Sequence, residues 1–93
     1  MQLPDCIFCR IALGEIPAQV VARSDHAVAF RDLSPQAPTH VLVIPIHHLA
    51  SAADATGPEG AALLGEVMAL GVRVAAELGL AEGGYRFVMN TGR

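Results

Sequence analysis

An α+β domain with a mainly antiparallel sheet is predicted by the order of apolar segments along the chain. Short β-branched or alternating runs lie between one brief and one long helical pattern, in the order helix, two strands, strand, helix, strand. A proline-rich loop separates the second strand from the third. The 93 residues leave room for one domain, which we place over residues 1–93.

The first elements are predicted to be a short helix and a hairpin. Apolar residues at helical spacing run through residues 6–13 and stop at Gly14, a residue that commonly ends helices. Strands are expected over residues 20–23 and 27–31. The small polar residues at 24–26 suit a tight turn between these two strands.

A rigid loop and a buried strand are predicted to follow the hairpin. Pro35 and Pro38 fix φ and remove backbone donors within residues 32–39. Residues 40–45 then form a continuous apolar run after an initial histidine. Such a run is typical of a strand that is buried on both faces.

The longest predicted element is a helix over residues 58–78. Thr56 offers a capping hydroxyl before it, and Gly79 offers a stop after it. Few charged residues interrupt its circumference, which favours cover by a second chain. A final strand is expected over residues 85–90. The apolar stripe of the helix consists of Leu63, Val67, Leu70 and Val74.

The composition argues against two classes of function. The nine acidic residues outnumber the six basic ones, all arginine, so the net charge is −3 and no basic patch for nucleic acid is expected. The longest apolar run is far shorter than the roughly 20 residues that span a bilayer. Because the N-terminal residues do not resemble a signal peptide, we expect a cytoplasmic location and no membrane partner.

The two cysteines, Cys6 and Cys9, form a C-x-x-C pair that can direct both sulfurs at one ion. His47 and His48 are the nearest further ligands. The competing interpretation is that both cysteines are small buried apolar residues. Spacing alone leaves zinc binding and simple burial as alternatives.

Asp32 and His40 flank the proline loop and are the other candidates for chemistry. The ring of His40 would have few alternative orientations, which suits a supporting or catalytic histidine and equally a core histidine bonded to a carbonyl. Asp32 could accept hydrogen bonds from two sugar hydroxyls or could cap the loop. The absence of lysine and of a G-x-S-x-G motif disfavours a phosphate loop and a serine hydrolase.

Nearly the whole chain resembles the histidine triad family of nucleotide-binding proteins, in its small single-domain branch. The long block SPQAPTHVLVIP over residues 34–45 is the most specific part of the resemblance. The other matching segments are Cys6-Ile7-Phe8-Cys9, Gly14-Glu15-Ile16-Pro17, Ala29-Phe30-Arg31-Asp32, His48-Leu49, Gly84-Tyr85-Arg86 and Asn90-Thr91-Gly92.

The resemblance implies a role for each matching site residue. Asp32 would bind the ribose hydroxyls, Asn90 would lie near the ribose and phosphate, and His40 would hold the tautomer of the nucleophile. The same resemblance implies a homodimer paired through the long helix and a neighbouring strand. Zinc, where present, would be held by Cys6, Cys9 and His48. The apolar slot for a purine base would consist of Ile7, Phe8, Ile11, Phe30 and Leu33.

One feature of the family is absent from the sequence, namely its C-terminal H-x-H-x-H segment. The four histidines are His26, His40, His47 and His48, and none of them matches the motif. In the family the middle histidine of the segment attacks the α-phosphorus and forms a nucleotidyl-histidine intermediate that water hydrolyses. We therefore expect the sequence to be truncated before the active-site strand, and the fourth zinc ligand to be missing with it.

The expected function of the full-length form is hydrolysis of purine nucleoside phosphoramidates or related nucleotidyl esters. The 93-residue chain itself is expected to be inactive because it lacks the nucleophile. The alternatives are a non-catalytic nucleotide-binding dimer and a zinc-stabilised scaffold dimer.

Overall fold

An antiparallel three-stranded sheet with a long helix across one face forms the described part of the protein. The computed structural model describes residues 7–14, 18–32, 37–46 and 52–89. The sheet order is β1-β2-β3, and both strand pairs are antiparallel, as the sequence predicts. The elements are α1 (Ile7–Ala12), β1 (Val20–Arg23), β2 (Ala27–Arg31), β3 (Val41–Pro45), a single 3₁₀ turn (Ala52–Asp54) and α2 (Gly57–Glu77).

The central strand β2 is buried on both of its faces. Ala27 and Ala29 pack with Leu70 and Val74 of α2 in the core cluster. Because alanine is small, the helix can approach the sheet closely at these positions. On the opposite face, Phe30 is 2% exposed and Val28 is completely buried. Burial of two such side chains contributes roughly 1.5–3 kcal/mol each.

The turn between β1 and β2 confirms the hairpin predicted from residues 24–26. The N–H of Ser24 donates to the carbonyl oxygen of Ala27 over 2.9 Å. The N–H of Ala27 in turn donates to the hydroxyl oxygen of Ser24 over 3.2 Å. Ser24 therefore closes the turn with both its backbone and its side chain, and it fixes the register of the hairpin.

The helix α2 matches the predicted bounds within one residue, but its N-terminal cap differs from the prediction. Thr56 is extended, with φ −108° and ψ 156°, and its hydroxyl makes no cap hydrogen bond. Glu59 lies in the first turn, where a carboxylate interacts favourably with the helix dipole. Gly79 has a φ of +73°, which confirms the predicted glycine stop because glycine adopts this conformation without steric cost.

Arg73 links α2 to the sheet, and its guanidinium group makes two contacts. One guanidinium nitrogen of Arg73 donates to the carbonyl oxygen of Arg23, at the end of β1, over 3.2 Å. Another lies 3.3 Å from the carboxylate of Glu77, one turn further along the helix. Because both side chains are half exposed, the ion pair adds little stability, and its effect is to orient the arginine.

The strand predicted over residues 85–90 is wrong for the part that the structure describes. Residues 84–89 form no strand, and Asn90 lies outside the described residues. Alternating side chains favour a strand only where a neighbouring edge supplies hydrogen bonds, and this segment pairs with none of β1, β2 or β3. It lies instead against α2, where the ring of Phe87 packs over Gly71.

The burial of β3 differs from the prediction. The strand β3 is half-buried along its whole length and not buried on both faces, so that part of the prediction is wrong. The physical reason is that α2 and α1 contact β3 without covering it completely.

Within the described residues, no helix is both long and apolar enough to cross a membrane.

The contact between Gly71 and Phe87 yields a stability prediction. A Cβ atom at position 71 would lie 2.9 Å from Cε1 of Phe87, whereas at position 65 of the same helix it would meet nothing within 4 Å. Gly65→Ala should therefore stabilise the protein by about 0.5–1 kcal/mol through helix propensity. Gly71→Ala should be less stable than Gly65→Ala by about 1–2 kcal/mol because Phe87 must move. Urea unfolding of both variants measures the difference, and equal stabilities would contradict the packing of Phe87 on this helix.

Candidate functional site

The antiparallel register of β2 and β3 brings Asp32 and His40 together. Arg31 faces Val41 across the two strands, so the residues one step beyond each strand end are direct neighbours. The N–H of Asp32 donates to the carbonyl oxygen of His40 over 3.0 Å. The side chains also meet, with Nδ1 of His40 3.4 Å from Oδ2 of Asp32. Both residues that the sequence singles out around the proline loop thus belong to one pair.

The pair is only partly accessible to solvent. The side chain of His40 is 30% exposed and that of Asp32 is 21% exposed. A carboxylate in this position remains accessible to a ligand hydroxyl while it restrains the imidazole beside it. The partial exposure is compatible with contact between the pair and a polar ligand.

An apolar surface lies on the neighbouring part of β2. The rings of Phe8 and Phe30 are 6.4 Å apart between centroids, with an interplanar angle of 38°. Phe30 and Ile11 are buried, whereas the side chain of Phe8 is 44% exposed. Since residues two apart on an extended chain face the same way, Phe30 and Asp32 lie on the same side of β2. An exposed aromatic ring above a buried apolar floor, close to a carboxylate, can accommodate a flat base joined to a sugar.

A cavity of about 600 Å³ has His40 among its lining residues. Its walls come from residues 39–43, from the C-terminal half of α2 and from residues 84–88. The lining includes His40 but not Phe8, Phe30 or Asp32. His40 is therefore the residue at which the apolar surface with its carboxylate meets the cavity.

Several of the sequence-predicted site residues lie outside the described residues. These include Leu33, Asn90, Cys6 and His48, and the side chain of Ile7 is likewise not described. Cys9 is buried in α1, with 3% of its surface exposed. Among the residues that the structure describes, no three potential ligands cluster closely enough to hold a metal ion. The described chain thus brings the rings of Phe8 and Phe30 together and pairs Asp32 with His40, while Ile11 is buried in α1.

Sequence reasoning missed the residues of α2 and of residues 84–88 that wall the cavity. Gly71 was the available signal, because a glycine within an apolar helix often marks a close approach by another segment. Nothing in the local pattern identifies Phe87 as the residue that makes this approach. The contact joins residues 16 positions apart through an intervening turn, so it follows from tertiary structure.

Comparison with known proteins identifies the family. The HIT domain matches residues 13–93. The purine nucleoside phosphoramidase of Escherichia coli strain K12 is 42% identical over 89 residues, which cover 96% of this chain and 74% of that protein. A histidine triad protein from Clostridium difficile superposes with a TM-score of 0.93 at 38% identity, covering 100% of this chain and 80% of the other.

A second solved structure also superposes closely with this chain. A HIT family hydrolase from Clostridium thermocellum superposes with a TM-score of 0.91 at 35% identity, covering 98% of this chain and 78% of the other. The resemblance inferred from the sequence motifs is therefore confirmed, and the chain belongs to the histidine triad (HIT) family.

Proposed function

We propose that this protein binds purine nucleotides and, in a form that carries a nucleophilic histidine, hydrolyses nucleoside phosphoramidates or related nucleotidyl esters. The observation that carries the proposal is the pair of Asp32 and His40 beside the rings of Phe8 and Phe30. The 42% identity with the E. coli purine nucleoside phosphoramidase supports the choice of substrate class.

The apolar surface on β2 and α1 is proposed to bind the purine base. The buried ring of Phe30 lies 6.4 Å from the ring of Phe8, which provides accessible aromatic surface, and Ile11 would join them by resemblance to the family. A purine ring can stack on such a surface because its faces are apolar while its edges form hydrogen bonds. Ile7 and Leu33 would complete the slot, by resemblance to the family.

The carboxylate of Asp32 is proposed to bind the ribose. Its two oxygens offer about four acceptor positions, which suits two hydroxyl donors on adjacent carbons. Hydrogen bonds to a charged acceptor are stronger than those between neutral groups. Asn90 would lie near the ribose and phosphate, as the family resemblance implies.

The cavity beside β3 is proposed to hold the nucleophilic segment. The strand pairs with β2 along one edge, no described strand pairs with its other edge, and Val41, Leu42 and Val43 line the cavity. A further strand would fit alongside at the usual spacing of about 4.8 Å. An H-x-H-x-H segment following residue 93 would then lie next to His40. This chain covers 74% of the E. coli protein and 80% of the C. difficile chain, so both relatives have residues beyond the matched part.

The proposed reaction has two steps on that segment. The middle histidine attacks the α-phosphorus, the amine leaves with a proton, and a nucleotidyl-histidine forms. Water then attacks the phosphorus of this intermediate, cleaves its bond to the histidine nitrogen and releases the nucleoside monophosphate. His40 would support the attacking histidine by a hydrogen bond that holds its tautomer.

The absence of the nucleophile from residues 1–93 yields a prediction about turnover. A sample whose intact mass equals 9.7 kDa should bind adenosine monophosphate but should not hydrolyse adenosine phosphoramidate. A form that continues into an H-x-H-x-H segment should hydrolyse it. Product release is measured by chromatography alongside mass spectrometry. Turnover by the 9.7 kDa sample would contradict the proposed mechanism, and binding without hydrolysis by the longer form would favour a non-catalytic nucleotide-binding protein.

Replacement of Asp32 tests the ribose contact directly. Asp32→Ala should weaken binding of adenosine monophosphate by about 10- to 100-fold, the effect of losing a hydrogen-bonded charge worth roughly 1.5–3 kcal/mol. Titration calorimetry should also show that the wild type prefers this ligand over its dideoxy analogue, and that the variant does not discriminate. Asp54→Ala is the matched control because Asp54 is exposed on the 3₁₀ turn. An unchanged affinity in Asp32→Ala would exclude the carboxylate from the ribose site.

Zinc is proposed as a structural metal held by Cys6, Cys9 and His48. Two thiolates and one imidazole form a donor set that zinc prefers, with a fourth ligand to be supplied from outside residues 1–93. Cys9 fits this role because it is buried in α1, which contacts β3, and His48 follows β3 closely in the sequence. Zinc bound there would stabilise the junction of these elements.

Metal content distinguishes a zinc site from simple burial of the cysteines. The wild type should bind zinc, and Cys9→Ala should bind it at least about tenfold more weakly because a ligand is lost. Native mass spectrometry and competition with a chromophoric chelator measure this. If Cys9 is merely a small buried apolar residue, Cys9→Ala will have the same metal affinity as the wild type.

A homodimer is proposed from the apolar residues that remain accessible on one chain. Met68 and Val72 of α2 are 37% and 50% exposed, and Val88 and Met89 are 66% and 49% exposed. Exposed apolar side chains that group on a helix and a nearby segment are typical of interfaces between subunits. A second copy of the chain would cover them.

A cytoplasmic location stays a prediction of the sequence.

A further inference from the structure

We propose that Asp32 fixes the tautomer of His40, so that one carboxylate both orients the supporting histidine and takes the ribose hydroxyls. The ribose half of this statement rests on the proposed function, whereas the contact with His40 does not. Asp32 is thereby a positioning residue as well as a ligand-binding residue.

The backbone geometry makes the pair a fixed feature of the sheet. The hydrogen bond from the N–H of Asp32 to the carbonyl oxygen of His40, at 3.0 Å, extends the ladder of β2 and β3 by one position. Both Cα atoms are therefore held by the sheet and not by a loop. The side-chain approach of 3.4 Å follows from that register and requires no unusual conformation.

The chemistry of the two groups determines which nitrogen carries the proton. An ionised carboxylate accepts hydrogen bonds and cannot donate them. Oδ2 of Asp32 faces Nδ1 of His40. Of the two tautomers of the neutral imidazole, the one with its proton on Nδ1 is therefore favoured. Its Nε2 is then an acceptor, which is the state that can receive a hydrogen bond from another donor.

The position of His40 gives this tautomer a purpose. His40 lines the cavity, whereas Asp32 does not. A donor that reached Nε2 of His40, such as the nucleophilic histidine, would meet an imidazole whose orientation and tautomer are set from the ribose side. Because the carboxylate can serve both partners at once, binding of a nucleotide should alter the environment of His40.

Nitrogen NMR of the imidazoles in the 93-residue protein tests the inference without any reaction. At a pH at which imidazoles are neutral, we expect His40 to be protonated mainly on Nδ1. Asp32→Ala should lose this preference and shift His40 towards the Nε2-protonated form that is usual in water. His40→Gln identifies the resonance among the four histidines, and Asp54→Ala should leave the tautomer of His40 unchanged.

A second variant protects the test against loss of folding. Asp32→Asn keeps the shape of the side chain, and its amide can donate as well as accept, so the Nδ1-protonated share of His40 should fall there too. An Nε2-protonated His40 in the wild type, or the same tautomer in the wild type and both Asp32 variants, would overturn the inference.

Addition of adenosine monophosphate separates the inference from the function on which part of it rests. In the wild type the nitrogen resonances of His40 should move on binding, and the dideoxy analogue should move them less. If the nucleotide does not bind but Asp32 still sets the tautomer, the proposed function fails and the positioning role stands. If the nucleotide binds and His40 does not respond, the shared use of the carboxylate is disproved.

Discussion

Burial of β2 on both faces is the constraint on which the rest of the structure depends. Ala27 and Ala29 leave room for α2 on one side, while Val28 and Phe30 fill the other side. A strand that is packed on both faces and paired at both edges cannot change register without exposing its apolar residues. Its C-terminal end is therefore fixed in space, and Asp32 is the residue that follows directly.

Local patterns predicted most of the fold because they record local physics. The bounds of β1 and β2 were predicted correctly, since alternation and a polar turn depend on residues close in sequence. The helix α2 was predicted within one residue for the same reason. The errors concern information that the residue pattern does not carry. Whether the hydroxyl of Thr56 bonds to the helix depends on its rotamer, and whether residues 85–89 form a strand depends on a partner edge.

The candidate site shows the same division between residue identity and arrangement. Asp32 and His40 can be identified from the sequence, because one is a carboxylate beside apolar residues at the start of the proline loop, the other opens the strand after it, and their motif resembles that of a family. Their pairing could not be read from the sequence, since they are eight positions apart and meet only through the register of β2 and β3. The cavity was still less predictable, because its walls come from β3, α2 and residues 84–88 together.

The residues proposed to bind the nucleotide and the residues that line the cavity form two different groups. Phe8, Phe30 and Asp32 do not line the cavity. The described residues proposed to bind the base and the ribose therefore belong to a different group from the cavity walls, whereas the proposed chemistry depends on what occupies the cavity. Only His40 belongs to both parts. The proposed function therefore predicts that nucleotide recognition can persist without hydrolysis, with the imidazole of His40 beside the carboxylate of Asp32 as the link between the two.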